Sequence, residues 1–275
     1  MSAGYVLTLR EHPPHRLDLG RLTPSALAGL SKIEVEKAPL RLGNGVVAVA
    51  DLFKVSGRPG SRLTIRNGCD RVDGIGRGLD GGEIIVEGDC GAYLGEGMRA
   101  GEIRVTGSAG PFAACRMEGG VLRIDGAAGD CLGGARPGER LGMRDGLVLV
   151  GGNIGDRAGD HMRRGAIFAG GDAGSWCGAR MIAGTIVVRG RLGDCAGFAM
   201  RRGTLLASSL ANPPLATFAD AGVHELGILA VIAQSMSRYV PWLAPLANAM
   251  PRARRLIGDL AVDGKGEILL ACDLV

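Results

Sequence analysis

Between residues 79 and 207 the chain repeats one arrangement of apolar and polar positions. Each unit opens on a large apolar residue, Leu79, Met98, Met117, Met143, Met162, Met181 or Met200, and meets a glycine three positions later, at Gly82, Gly101, Gly120, Gly146, Gly165, Gly184 or Gly203. Alternate apolar positions follow, such as Ile84 and Val86, Ile103 and Val105, Val148 and Val150, or Ile186 and Val188. A second glycine closes the alternation at Gly88, Gly107, Gly126, Gly152, Gly171 and Gly190, and further glycines recur three and seven residues after it, with Ala114 the one substitute. The methionines are separated by 19, 26, 19, 19 and 19 residues, and the one long step carries seven extra residues near ARPGERL, a loop let out of one corner. A period of two predicts a strand, since a helix would set its apolar residues three and four apart. A fixed period near twenty predicts stacked identical units. Nineteen residues suit one coil of a parallel β-helix, with equivalent side chains in ladders about 4.8 Å apart. The methionine ladder reads as interior packing, because thioether ligands would have to converge on one point rather than spread along an axis.

Weaker units, GVVAVADLF at 45–53 and SRLTIRNG at 61–68, extend the predicted β-helix domain to residues 45–210. Its ends must be capped or they would pair with other chains. Residues 1–44 form the predicted N-terminal cap, with a helix start at TPSALAGL and Thr23 or Ser25 as N-cap. The pattern breaks at Asn212-Pro213-Pro214, so 211–275 form the predicted C-terminal cap: a helix over 223–240 lying on the last coil, then a strand, GEILLACDL.

Composition narrows the chemistry. The 275 residues hold 48 glycines beside 4% aromatics, which fits many tight turns between short strands. The net charge is +4, and the arginines are scattered and lack the stacking aromatics of a nucleic-acid surface, so no nucleic-acid partner is expected. The start of the chain has no apolar run with a cleavage site, and LGILAVIA at 226–233 is far short of a membrane span, so the chain reads as cytoplasmic with no membrane contact. Seven cysteines without a CxxC pair read as buried free thiols, Cys177 and Cys195 among them. His12, His15, His161 and His224 have no ligand spacing and read as surface or capping residues. Asp130, Asp156 and Asp194, with Asp89 and Asp172, read as turn formers bonded to their own backbone. The alternative, an autonomous β-helix enzyme acting on carbohydrate, needs such carboxylates clustered on one outward face. No catalytic residue and no metal or other cofactor in this chain is expected. One line stands out: directly after the methionines come Arg99, Arg144, Arg163 and Arg201, with Arg164 and Arg202 beside them, interrupted by Glu118 and Ile182. Being next to a buried methionine, these arginines should point outward. Arginines stacked about 5 Å apart repel unless an anion or an acidic surface lies across them, which makes them candidate anion-binding or partner-binding residues; the alternative is a solvated face.

The line GxIxVxGxxGxxxGxxMxxG resembles the glycine-repeat domain shared by the large chain of glutamate synthase and by the C subunit of formylmethanofuran dehydrogenase. The stretch KAPLRLGNGVVAVADLFKVSG at 37–57 and the caps at both ends resemble the C subunit, and the resemblance covers nearly the whole chain. It implies a right-handed parallel β-helix without a catalytic centre, a scaffold subunit in one of two settings. The first is the bacterial formyltransferase/hydrolase complex, which moves a formyl group from a tetrahydromethanopterin carrier to a methanofuran-like carrier and releases formate. The second is the CO2-reducing tungsten or molybdenum formylmethanofuran dehydrogenase. The excess of arginine over the four lysines fits a GC-rich bacterial genome and favours the first. The resemblance further implies the A, B and D subunits of such a complex as partners, the first hydrolase-like and the last a formyltransferase, with metal ions and the methanofuran-like carrier held by those partners. Carriers with polyglutamyl tails would give the arginine line a polyanion to meet, or an acidic face of the hydrolase-like partner would do so. A glutamate-synthase-like spacer from a split enzyme is the remaining alternative.

Overall fold

In the computed structural model, residues 3–247 and 251–271 are described; Cys272 and the end of the GEILLACDL segment lie outside them. The alternating segments are strands. In chain order the main sheet comprises β1 (Gly4–Leu9), β2 (Phe53–Gly57), β3 (Arg62–Gly68), β4 (Asp80–Gly88), β5 (Ala100–Val105), β6 (Glu118–Ile124), β7 (Asp145–Val150), β8 (Ala166–Ala169), β9 (Thr185–Val188), β10 (Thr204–Ala207), β11 (Ala219–Glu225), β12 (Arg252–Gly258) and β13 (Gly266–Leu270). Their order across the sheet is β11-β12-β13-β10-β9-β8-β7-β6-β5-β4-β3-β1-β2. The run from β1 to β13 is parallel throughout. Antiparallel pairs close both ends.

This pairing corrects the fold class expected from the repeat. Instead of a right-handed parallel β-helix closed coil upon coil, the strands form one 13-stranded mixed sheet, accompanied by a two-stranded and a four-stranded sheet. Elsewhere consecutive repeat units meet through isolated parallel bridges running Cys90, Ala109, Ala128, Ile154, Ala173 and Leu192. The physical reason is the backbone between the strands. Tyr93, Gly95 and Gly97 have φ of 61°, 63° and 62°, and other units repeat such left-handed residues, so no extended run can form there. Among the described residues, five short α-helices also make the fold less than all-β.

The inward columns follow the apolar alternation. Ile84, Ile103, Leu122, Val148, Ile167, Ile186 and Leu205 stand in register across β4 to β10 and are fully buried. Met98, Met117, Met143, Met162, Met181 and Met200 are also fully buried, as the ladder predicts. Burying each removes roughly 2 kcal/mol worth of apolar surface from water. The pairing of methionine with glycine has a steric cause. A Cβ placed on Gly165 would lie 2.7 Å from the Met143 methyl carbon and 2.9 Å from the Gly146 carbonyl oxygen, at a φ of +92°. The methionine of one unit thus occupies the space where the next unit's side chain would begin.

The aspartates read as turn formers act between units instead. Asp89 Oδ1 accepts a hydrogen bond from the Ser108 amide at 2.7 Å, Asp156 from that of Ser175 at 2.7 Å and Asp172 from that of Arg191 at 2.8 Å. Asp130 likewise accepts from the Asp156 amide at 2.9 Å. Each joins its unit to the one that follows.

The flanks differ from the sequence reading. The segment 45–53, read as a weak repeat unit, forms an antiparallel strand (Gly45–Ala48) in the four-stranded sheet and a short helix (Val49–Leu52). The place beside β3 on the side away from β4 is taken by β1, from the beginning of the chain. Thr23 does cap a helix, Pro24–Leu27, its hydroxyl accepting from the Ala26 amide at 3.2 Å. The predicted 223–240 helix is a strand as far as Glu225 and a helix over Gly227–Met236. That helix lies on the outer face of the sheet rather than on its end: Leu229, Ala233, Val240, Leu243 and Leu246 cluster with Leu149, Phe168, Val187, Leu206 and Leu269. The final strand β13 pairs in parallel with β10.

Candidate functional site: an arginine-lined groove

The line after the methionines is held by a ladder of backbone bonds. The amides of Arg99, Glu118, Arg144, Arg163, Ile182 and Arg201 donate to the carbonyls of Leu79, Met98, Met117, Met143, Met162 and Met181 at 2.7 to 2.8 Å. Each residue therefore sits above its counterpart, and all six candidate arginines are exposed. The structure sorts them. Arg163 and Arg201 line a cleft of about 780 Å³. Arg99 lines a second of about 300 Å³ with Arg77, Glu96, Arg116, Glu118 and Arg136. Arg144 is engaged by Glu118, Nη1 to Oε1 at 2.5 Å. Arg164 and Arg202 are exposed beside Arg163 and Arg201 but line neither cleft.

The seven-residue insertion builds the wall between the two clefts. Arg136 sets its guanidinium against Glu96 and lies over the Tyr93 ring, 5.9 Å from its centroid, while Glu139 lies 3.6 Å from Arg116. Arg136 lines both clefts, and Arg77 is shared by the second and a third cleft of about 380 Å³ that also contains Asp18, Arg21 and Arg41. The three clefts are neighbours, each sharing an arginine of its lining with the next, and together they make an arginine-lined surface. Six unit steps, from the Leu79 line to the Arg201 line, span about 29 Å at strand spacing.

The electrostatics of the groove are one-sided. The largest cleft has Arg136, Arg140, Arg157, Arg163, Arg180 and Arg201 in its lining against the carboxylates of Glu139 and Asp160. That excess of four equals the formal net charge of the whole chain. Buried Asp160 is taken up by Arg180, at 2.9 Å to Nε and 2.5 Å to Nη2. Among the described residues, no carboxylate lies within salt-bridge distance of Arg140, Arg157, Arg163 or Arg201. Two guanidinium groups about 5 Å apart in a water-like medium repel by about 1 kcal/mol, a cost that an anion across them reverses. Partial burial holds the His161 imidazole below its ordinary value of 6.5, with the Asp160 carboxylate 3.1 Å away working in the opposite direction.

Several groove residues escaped the sequence reading: Arg77, Arg116, Arg136, Arg140, Arg157 and Arg180. A signal was present. Gly78 and Gly97 take φ of 64° and 62°, and the repeat sets Arg116, His161 and Arg180 on the same line, at 57°, 57° and 53°. A side chain in left-handed backbone costs about 1 kcal/mol where glycine does not, and such strain collects at functional positions. Arg116→Gly is therefore expected to leave the melting temperature unchanged or raised while weakening whatever anion or partner the groove holds; a large loss of stability would show that Arg116 is structural.

The cysteines and histidines also resolve. Burial pushes the thiols of Cys90, Cys115 and Cys177 up to about 12, which makes them inert at neutral pH. Cys131 and Cys195 are half-buried. His12, which has no ligand spacing in the sequence, comes within reach of Cys69 and Asp70.

The chain is 44% identical over 88 residues to the C subunit of the formyltransferase/hydrolase complex Fhc of Methylorubrum extorquens. It is 33% identical over 94 residues to the C subunit of tungsten-containing formylmethanofuran dehydrogenase 2 of Methanothermobacter marburgensis. These alignments take in 32% of this chain and span about a third of the length of the curated relatives. No family model matches. The fold superposes on a chain of the crystal structure of the formyltransferase/hydrolase complex FhcABCD from Methylorubrum extorquens in complex with methylofuran, with a TM-score of 0.91 and 43% identity, over 96% of this chain and 98% of that one. This chain belongs to the family of these C subunits. The superposition takes in 96% of the chain, so the likeness reaches well beyond the repeat. The readings as a carbohydrate enzyme and as a glutamate-synthase spacer receive no support from these relatives. Among the described residues, no helix is long and apolar enough to cross a membrane.

Proposed function

We propose that this chain is the C subunit of a cytoplasmic formyltransferase/hydrolase complex, the member that holds the hydrolase-like A, the B and the formyltransferase D subunits in register. The complex moves a formyl group from a tetrahydromethanopterin carrier to a methanofuran-like carrier and releases formate, the bond-making and bond-breaking taking place in the partners, which hold the metal ions and the carrier. The observation that carries this reading is the end-to-end match, at 43% identity, to a chain of the FhcABCD complex. The lower identity to the tungsten-containing relatives, 33% against 44%, favours the formyltransferase/hydrolase setting over CO2 reduction.

The groove gives this scaffold a charged contact surface. Arg99, Arg163 and Arg201, joined by Arg140 and Arg157, face a polyanion: the acidic tail of a carrier or an acidic face of the hydrolase-like partner. Arg164 and Arg202 extend the same charge onto the neighbouring surface. Arg144 serves to hold Glu118 and thereby shapes the rim. Such a surface favours fast, salt-sensitive association over raw affinity.

The test is gentle purification of the protein from its source, followed by size exclusion and mass spectrometry. Co-elution of a hydrolase-like and a formyltransferase chain, with formyl transfer and formate release in that fraction and neither in the isolated chain, is the expected result. Elution of the chain alone near 28 kDa, or transfer by the chain by itself, overturns the reading.

A further inference from the structure

The segment that crosses from β1 to the four-stranded sheet lies against the turn that follows β3. Arg71 Nη1 donates to the carbonyls of Pro13 at 3.0 Å and Pro14 at 2.9 Å, Asn67 Nδ2 donates to the Leu9 carbonyl at 3.1 Å, and the Leu17 amide donates to the Arg71 carbonyl at 2.8 Å. Arg16 grips Asp73 through two bonds of 2.5 and 2.6 Å and reaches the Asp70 carbonyl at 3.4 Å. Two prolines stiffen the crossing segment, and Asn67, at a φ of 59°, bends the chain at the end of β3. Two backbone segments far apart in sequence are thus clamped together, and at their junction His12, Cys69 and Asp70 each bring a ligand atom within 4.8 Å of the others.

We propose that His12, Cys69 and Asp70 form a binding site for a zinc-like divalent transition ion. The donor types decide the class. An imidazole nitrogen, a sulfur and a carboxylate oxygen suit zinc or a neighbouring borderline ion, whereas magnesium and calcium take oxygen alone. Tetrahedral zinc with bonds of about 2.0 to 2.3 Å sets its ligands about 3.3 to 3.8 Å apart, so the three atoms, now within 4.8 Å of one another, need to close by up to about 1.5 Å. His12 and Asp70 are exposed and have the rotamer freedom to do so, while Cys69 is 3% exposed and fixes the site from the core side. Ionised thiolate and carboxylate together balance the two charges of the ion, and binding releases the thiol proton. With three protein donors, a water would complete a four-coordinate site. The site lies at the β1–β3 junction, and the inference is independent of the formyltransferase/hydrolase reading. By tying residue 12 to residues 69 and 70, the ion would pin the beginning of the chain to the first strands of the parallel run.

The metal-stripped full-length protein titrated with cobalt(II) is the test. One equivalent is expected to raise a near-ultraviolet thiolate-to-cobalt charge-transfer band, displaced by zinc. Cys69→Ser should abolish the band, and His12→Ala should weaken cobalt affinity at least tenfold. Zinc should raise the melting temperature of the wild type and not that of His12→Ala, whose exposed side chain can be removed without disturbing the core. Absence of the band in the wild type, an unchanged band in Cys69→Ser, or equal zinc stabilisation of wild type and His12→Ala overturns the proposal.

Discussion

Gly165→Ala is expected to destabilise the protein by about 3 kcal/mol, although it adds a single methyl group. Two independent costs combine. The residue sits at a φ of +92°, where an L side chain is strained by about 1 to 2 kcal/mol. The new carbon would also lie 2.7 Å from the Met143 methyl carbon and 2.9 Å from the Gly146 carbonyl oxygen, and overpacking of this kind costs about 1 to 3 kcal/mol. For a chain of this length the melting temperature should fall by roughly 6 to 12 °C. The double variant Met143→Ala/Gly165→Ala separates the costs. Removing the methionine tip relieves the clash and leaves the backbone strain, so the pair should be less destabilised than the sum of the single changes by at least about 1 kcal/mol. Simple additivity would show that methionine and glycine recur together for unrelated reasons.

Reversing charge in and beside the groove should have the opposite signature. Arg163→Glu, Arg164→Glu and Arg201→Glu together replace three exposed cations, none of which is salt-bridged to a carboxylate among the described residues. The melting temperature of the isolated chain is expected to stay within about 2 °C of the wild type, since exposed charges contribute little to stability. Association with the polyanion or acidic face proposed for this surface should weaken by about 2 kcal/mol or more, roughly thirtyfold, because like charges then face one another across the contact. The wild-type interaction should weaken with added salt more steeply than that of the variant. Unchanged assembly, formyl transfer and salt response would return these arginines to a solvated face.

The groove was half legible in the sequence. Arg99, Arg144, Arg163 and Arg201 share one line of the repeat, and the buried methionine before each one dictates an outward direction. What the line could not reveal is which arginines have a counter-charge nearby. Arg144 meets Glu118 because the two are stacked neighbours, a relation that needs the register. Arg136 and Arg140 sit on the insertion, and Arg157 and Arg180 on other lines; they converge with Arg163 and Arg201 only when the units are stacked. His12 is further removed, 57 residues before Cys69 and 58 before Asp70, and no local spacing announces the three together.

The fold shows the same division. The column Ile85, Arg104, Arg123, Leu149, Phe168, Val187, Leu206 and Leu269 faces outward along the sheet and changes from mixed to apolar after β6. That change is written in the sequence, yet no single strand tells what its apolar part, Phe168 included, lies against. In the structure it is the floor on which the C-terminal helix lies.

By itself the sequence determined the strands, the parallel order of the repeating units and the buried methionine ladder, because these follow from periods of two and nineteen acting on neighbouring residues. It also pointed to the family, through the repeat columns taken together with the flanking stretch 37–57 and the caps. Only the tertiary structure decided that the strands assemble as one mixed sheet with left-handed turns beside it, that the aspartates join one unit to the next, that the C-terminal helix covers a face rather than an end, and that arginines from different lines meet in one groove. Each of these depends on which distant segments are brought together, and the energy of such a contact is a property of the pair rather than of either stretch of chain.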